Sequence, residues 1–186
     1  MDNKKTVQIN TKKNTAAERC DITEAAASFG AVILAAGYSS RMKAFKPLLP
    51  VGEMPAVYRI AHTLRNVGIS DIVIVTGYSR EKLLPVVQSM GLTEAYNEDY
   101  DRGMFSSVRA GLVKAKARFS QKKALLLMPV DCPLVSEQVL KTMIAAASET
   151  AEADDGKKFK RSGDFCVPVY EGKKGHPLVI PVNYID

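Results

Sequence analysis

The chain has 186 residues, 46% hydrophobic and 25% charged, with a formal net charge of +6. That is enough for one domain with a sizeable core and too apolar for a disordered chain, and no apolar run nears the ~20 residues of a membrane-spanning helix. Cys20, Cys132 and Cys166 lie too far apart for a disulfide framework or a Cys-x-x-Cys metal site, and Lys4, Lys5, Lys12 and Lys13 are not followed by the apolar stretch of a signal peptide, so a reducing, cytoplasmic setting is expected.

In chain order, residues 1–28 are polar and without sustained periodicity until Ala25–Ala27, and they are expected as a mobile arm with some helix near its end. The domain is expected over 29–186. Ala31–Ala36 is a short apolar run closed by Gly37, which predicts a buried strand and a turn. Near Pro55 a helix begins, with Met54, Val57, Ile60, Ala61, Leu64 and Val67 on one face and Gly68 placed to end it. Ile72–Val75 is a second buried strand, stopped at Gly77. Leu83, Leu84, Val86 and Val87 predict a short helix in which Pro85 occupies the first turn or causes a break. Residues 105–118 put Phe105, Val108, Leu112 and Ala115 on one helical face. Ala124–Met128 is a third strand, and Ser136 is an N-cap for a helix carrying Val139, Leu140, Met143 and Ile144. Residues 149–163 are expected as a loop, Phe165–Tyr170 as a strand, Gly172–Gly175 as a turn and Leu178–Ile180 as a last strand.

Strands alternating with amphipathic helices predict an α/β fold of three layers, α/β/α, Rossmann-like and built around a mainly parallel sheet. In such sheets ligands bind at the carboxyl ends of strands. Ala35–Lys46, Thr76–Arg80 and Pro129–Pro133 all sit at such ends. The basic balance favours anions without choosing among them. Its lysines and arginines fall in scattered clusters, Trp is absent, and no reading element for nucleic acid is evident, so no nucleic-acid or membrane partner is expected.

The first strand end reads Leu34-Ala35-Ala36-Gly37-Tyr38-Ser39-Ser40-Arg41-Met42, with Lys46 following. It is neither a Walker A loop nor a Gly-x-Gly-x-x-Gly fingerprint. Small residues before Gly37 let backbone N–H groups approach a phosphate or a base, and Arg41 and Lys46 add two cations suited to a triphosphate. A tight strand–helix turn with two solvated basic residues is the competing reading. Asp131, between Pro129 and Pro133, is either a Mg²⁺ ligand or a helix cap.

Together these residues resemble the nucleotidyltransferases that act on molybdopterin, most closely the molybdenum cofactor cytidylyltransferase branch. Further matches are Val75-Thr76-Gly77-Tyr78, Asn97 with Gly103–Val108, Asp131-Cys132-Pro133, and Val167-Pro168 leading to Gly175-His176-Pro177, so the resemblance spans residues 31–180. It implies that Leu34, Ala35, Ala36 and Gly37, with Thr76 and Gly77, bind the nucleotide. Arg41 and Lys46 hold its phosphates, and Asp131 binds Mg²⁺. Ser106 and Ser107 either contact the nucleotide or cap a helix. Gly175, His176 and Pro177 lie near the pterin, with a plain turn as the alternative for His176. His62 has no assigned role.

The implied reaction is transfer of a nucleoside monophosphate from CTP to the terminal phosphate of molybdopterin, with or without molybdenum, and pyrophosphate leaves. A molybdoenzyme or insertion chaperone is the implied protein partner. Two departures stand out: Lys43 replaces the family's usual Gly, and the chain stops at Asp186, where relatives continue into a helical segment carrying a Gly-Asp element. The sequence is then either a fragment of a longer protein or a domain with an incomplete site. A non-catalytic nucleotide-binding module for delivery or regulation, and a transferase for a sugar phosphate, are the alternative functions.

Overall fold

The computed structural model of the protein describes residues 4–8, 22–38, 44–152 and 165–185. Strand β1 is Lys4–Gln8 and a helix, α1, spans residues 22–26. Strand β2, Phe29–Leu34, is buried at every position. Two short strands, β3 (Pro50–Val51) and β4 (Met54–Pro55), form a separate hairpin turned at Gly52, whose φ of 68° is in the left-handed region that glycine tolerates. Helix α2 (Ala56–Asn66) follows, then β5 (Ile72–Thr76), α3 (Arg80–Ser89), β6 (Thr93–Tyr96), α4 (Met104–Arg118), β7 (Ala124–Pro129) and α5 (Glu137–Glu152). Strands β8 (Phe165–Tyr170), β9 (Lys173–Lys174) and β10 (Leu178–Pro181) complete the order.

The main sheet runs β1-β8-β10-β7-β2-β5-β6, with β9 paired to β8. Pairings β1–β8, β7–β2, β2–β5 and β5–β6 are parallel, whereas β10 is antiparallel to both β7 and β8. Successive strand residues point to opposite faces. Ala31 and Ile33 of β2 thus join Ile72 and Ile74 of β5 and Leu126 and Met128 of β7 in a core covered by α2, α3 and α5. Val32, Leu34, Val73, Val75, Leu125 and Leu127 form the opposite core, under α4. This is the α/β sandwich that the alternation predicts.

Four local expectations change. Helix α3 runs uninterrupted through Pro85, beyond its first turn; the ring is on the exposed side, while Leu83 and Val87 bury the other. On α4 the buried face is Ser107, Gly111 and Ala115, and Phe105 is 78% exposed. The hydrophobic pattern missed this because the contact is made by a glycine: a Cβ at Gly111 would lie 2.5 Å from Val32 and 2.6 Å from Val75. Met54 belongs to the hairpin rather than to α2. Residues 149–152, expected in a loop, extend α5, and the rest of the expected loop up to Gly163 lies outside the described residues. By contrast, Ser136 caps α5 as predicted, its Oγ accepting from the Val139 N–H at 3.3 Å. Within the segment expected as an arm, the described residues form β1 and α1.

Candidate active site

The ladder register sets the site. Leu34 pairs level with Val75 on one side and Pro129 on the other, so β2, β5 and β7 end in one row. Strand β10 enters this row from the opposite direction, Leu178 lying against Leu127, which brings the Gly175–Pro177 turn to the same end of the sheet. Backbone bonds lock the ends together: Ala35 N–H donates to Val75 O at 3.0 Å, Val130 N–H to Leu34 O at 3.0 Å and Tyr78 N–H to Ala36 O at 3.1 Å.

A cleft of about 330 Å³ opens over this row. Leu34, Ala35, Ala36 and Gly37 line it together with Lys46, Ser107 and Asp131. A Cβ at Gly37 would meet nothing within 4 Å, so the backbone there faces open space. Lys46 Nζ lies 4.0 Å from Asp131 Oδ2, the two side chains being 30% and 57% exposed. Such a pair adds little to stability but presents a cation and a carboxylate side by side. Cys132 Sγ donates to Asp131 Oδ1 at 3.6 Å, and burial, followed by the Asp131 charge, pushes the Cys132 thiol up. It stays protonated at neutral pH and is a poor nucleophile.

The serine pair divides. Ser106 hydroxyl lies 2.8 Å from both Asp99 O and Gly103 O, and it accepts from Asn97 Nδ2 at 2.9 Å. Ser107, 6% exposed, lines the cleft and accepts from the same Nδ2 at 3.0 Å. Buried Asn97, which also accepts from Asp99 N–H and donates its own N–H to Thr76 O, therefore pins the start of α4 to the ends of β5 and β6. Asn97 has no task of its own in the sequence motif that contains it; its burial at the end of β6 is what gives it one.

Thr76 and Gly77 sit behind the cleft rather than in its lining. Thr76 is fully buried and donates to Glu94 Oε1 at 2.5 Å. A Cβ at Gly77 would stand 2.7 Å from Tyr100 and 2.8 Å from Ala36, so glycine is what allows these segments to close on each other. Gly175 and His176 are exposed, Pro177 is buried, and the Gly175 N–H donates to Pro168 O at 2.9 Å; none of the three lines the cleft. Ser39, Ser40 and Arg41 lie outside the described residues.

The residues present fit a divalent cation carried by a nucleotide. Among the described residues no group of three or more His, Cys, Asp or Glu could hold a metal alone, whereas Mg²⁺ is well served by one or two carboxylates plus phosphate oxygens. No helix among the described residues is long and apolar enough to cross a membrane.

Comparison with known proteins gives the family and the fold. The MobA-like NTP transferase domain family matches residues 31–186. The bifunctional protein GlmU of Geotalea uraniireducens is 32% identical over 119 residues, 63% of this chain and 25% of the relative. The chain thus spans about a quarter of the length of the curated relatives it matches. A nucleotidyl transferase from Methanothermobacter thermautotroptrophicus has the same fold at a TM-score of 0.65 and 19% identity, over 84% of this chain and 73% of the other. Molybdopterin-guanine dinucleotide biosynthesis protein A from Archaeoglobus fulgidus gives a TM-score of 0.57 and 13% identity, over 84% and 69%. At these identities the two structural likenesses speak to the fold.

Proposed function

Because the chain belongs to the MobA-like NTP transferase domain family, we propose that it moves a nucleoside monophosphate from CTP to the terminal phosphate of molybdopterin, or its molybdenum-loaded form. The observation that carries this reading is the meeting of the Leu34–Gly37 turn, Lys46 and Asp131 in one cleft over level strand ends. An acceptor phosphate oxygen attacks the α-phosphorus of the NTP in line. A new P–O bond forms, the bond to the bridging oxygen breaks, and pyrophosphate leaves with the electron pair. Little covalent chemistry falls to the protein, so its task is positioning and charge stabilisation.

Leu34, Ala35, Ala36 and Gly37 hold base and sugar, with Thr76 and Gly77 shaping the turn from behind. Lys46 holds the phosphates, joined by Arg41 on the grounds of its place in the motif. Ser107 offers its hydroxyl to the nucleotide from the start of α4, and Ser106 secures that start. Asp131 is the Mg²⁺ ligand; when bound, Mg²⁺ supplies neutralisation of the triphosphate charge. Gly175 and His176, exposed in the turn before β10, lie near the pterin, and buried Pro177 anchors that turn. The product passes to a molybdoenzyme or an insertion chaperone. The preference for CTP and for the pterin rests on the resemblance of Leu34–Gly37 and Gly175–Pro177.

Pyrophosphate release with Mg²⁺, from CTP or GTP, against molybdopterin, its molybdenum-loaded form and a sugar phosphate, tests the reading. Release is expected with CTP and a pterin acceptor. Release with the sugar phosphate alone would transfer the reading to that acceptor. Nucleotide binding without any release would make the chain a non-catalytic module.

A further inference from the structure

Three aromatic rings at the cleft have no task in the account so far. Tyr38 and Tyr78 have ring centroids 4.9 Å apart, Tyr38 and Tyr100 5.3 Å, and Tyr78 and Tyr100 6.4 Å, with interplanar angles of 41°, 63° and 58°. These are the tilted and edge-on arrangements in which aromatic rings attract one another. The rings come from three strand ends: Tyr38 follows the turn after β2, Tyr78 follows β5, and Tyr100 begins a 3-10 turn after β6. Although packed together, Tyr38 and Tyr78 remain 48% and 40% exposed, and Tyr38 and Tyr100 line the cleft.

Their place across the sheet gives the cluster its meaning. Strand order is β10-β7-β2-β5-β6. The rings gather on the β2–β5–β6 side, Asp131 follows β7, and the Gly175–Pro177 turn leads into β10. From the β5 end to the β7 end is two strand spacings, ~10 Å, which leaves room for a ribose between a base on the rings and phosphates beside Lys46 and Asp131.

We propose that Tyr38, braced by Tyr78 and Tyr100, is a stacking platform for the base of the NTP, fixing the direction in which the nucleotide lies. The base rests toward β5 and β6, the phosphates over β2 and β7, and the acceptor enters from β10. This inference rests on the nucleotidyltransferase reading and deepens it. Every base has a π face, so the platform strengthens NTP binding without choosing between cytosine and guanine. Burial, then the neighbouring Tyr100 hydroxyl and the Asp101 carboxylate, raise the Tyr38 hydroxyl above its ordinary range, so it stays neutral beside an anionic ligand.

The chain has no Trp and seven Tyr, so its intrinsic emission comes from tyrosine, and three of the seven form the platform. The protein is titrated in Mg²⁺ with CTP and with inorganic tripolyphosphate, alongside Tyr38→Ala and Tyr38→Phe. CTP is expected to quench the emission and tripolyphosphate to leave it unchanged. Tyr38→Ala should weaken CTP about 10- to 100-fold while keeping tripolyphosphate affinity, and Tyr38→Phe should restore CTP. Unchanged CTP affinity in Tyr38→Ala overturns the platform, and so does equal loss of CTP and tripolyphosphate, which marks a purely structural ring. Quenching by the pterin acceptor in place of CTP overturns it as well. If the wild type binds no NTP at all, the nucleotidyltransferase reading fails and the platform fails with it.

Discussion

Lys46 and Asp131 form an ion pair 4.0 Å long in the lining of the cleft, a cation and a carboxylate side by side. An exposed pair of this kind contributes little to folding, whereas a fixed cation aimed at a charge that develops during reaction is worth ~3 kcal/mol. Lys46→Met should therefore lower kcat by about 100- to 1,000-fold and leave the thermal midpoint nearly unchanged; steady-state kinetics beside a melting curve checks both. The Leu34–Gly37 turn and Asp131 stood out in the sequence because each lies where an apolar strand stops, and strand ends are where such folds bind ligands; Lys46 stood out as a cation on the loop that follows the first of them. The contacts of Tyr100 and the two hydrogen bonds that Asn97 Nδ2 donates to Ser106 and Ser107 were not legible, since they depend on how separate segments meet.

At the scale of elements, α4 packs onto β2 and β5 through Gly111. Alanine in place of glycine ordinarily stabilises a helix by ~1 kcal/mol, but here the new methyl would press on the β-branched side chains of Val32 and Val75. Overpacking of this kind costs ~1–3 kcal/mol. Gly111→Ala should therefore lower the urea midpoint, and a rise would show that the sheet yields. Helices α2 and α5 were readable from their apolar periodicity, and β2, β5 and β7 from unbroken apolar runs. Strand β6 was not: its Thr-Glu-Ala-Tyr is polar because an edge strand borders solvent on one side, and Glu94 is held there by Arg80, at 2.8 Å to each carboxylate oxygen, and by Thr76. The antiparallel insertion of β10 between β7 and β8 was equally hidden, because periodicity carries no strand direction.

For the molecule as a whole, two carboxylates among the described residues tie stability to pH. Glu94 is held below its ordinary range, first by the Arg80 hydrogen bond and then by Thr76 and the Arg80 and Lys114 charges. Glu137 is lowered likewise, first by Asn66 and then by Lys141. A depressed folded-state pKa means that the unfolded chain binds the proton more readily. The stability these groups contribute is therefore complete above the unfolded value, ~4.3, and is lost as pH falls through their lower folded values. The net charge of +6, which acid makes more positive, adds self-repulsion in the same direction. Urea midpoints followed from pH 6 to pH 3 should fall, and Glu94→Gln should start lower and decline less steeply; an unchanged slope would remove Glu94 from the account.

All of these scales converge on the carboxyl end of the sheet, where level strand ends bring the Leu34–Gly37 turn, Lys46 and Asp131 into one cleft. The direct test is pyrophosphate release from CTP with Mg²⁺ and a molybdopterin acceptor, by the wild type and by Asp131→Asn. The account predicts release by the wild type, a fall of about 100-fold or more in the variant, and a variant that still folds and binds CTP. Undiminished release by Asp131→Asn would contradict it and move the reacting centre elsewhere.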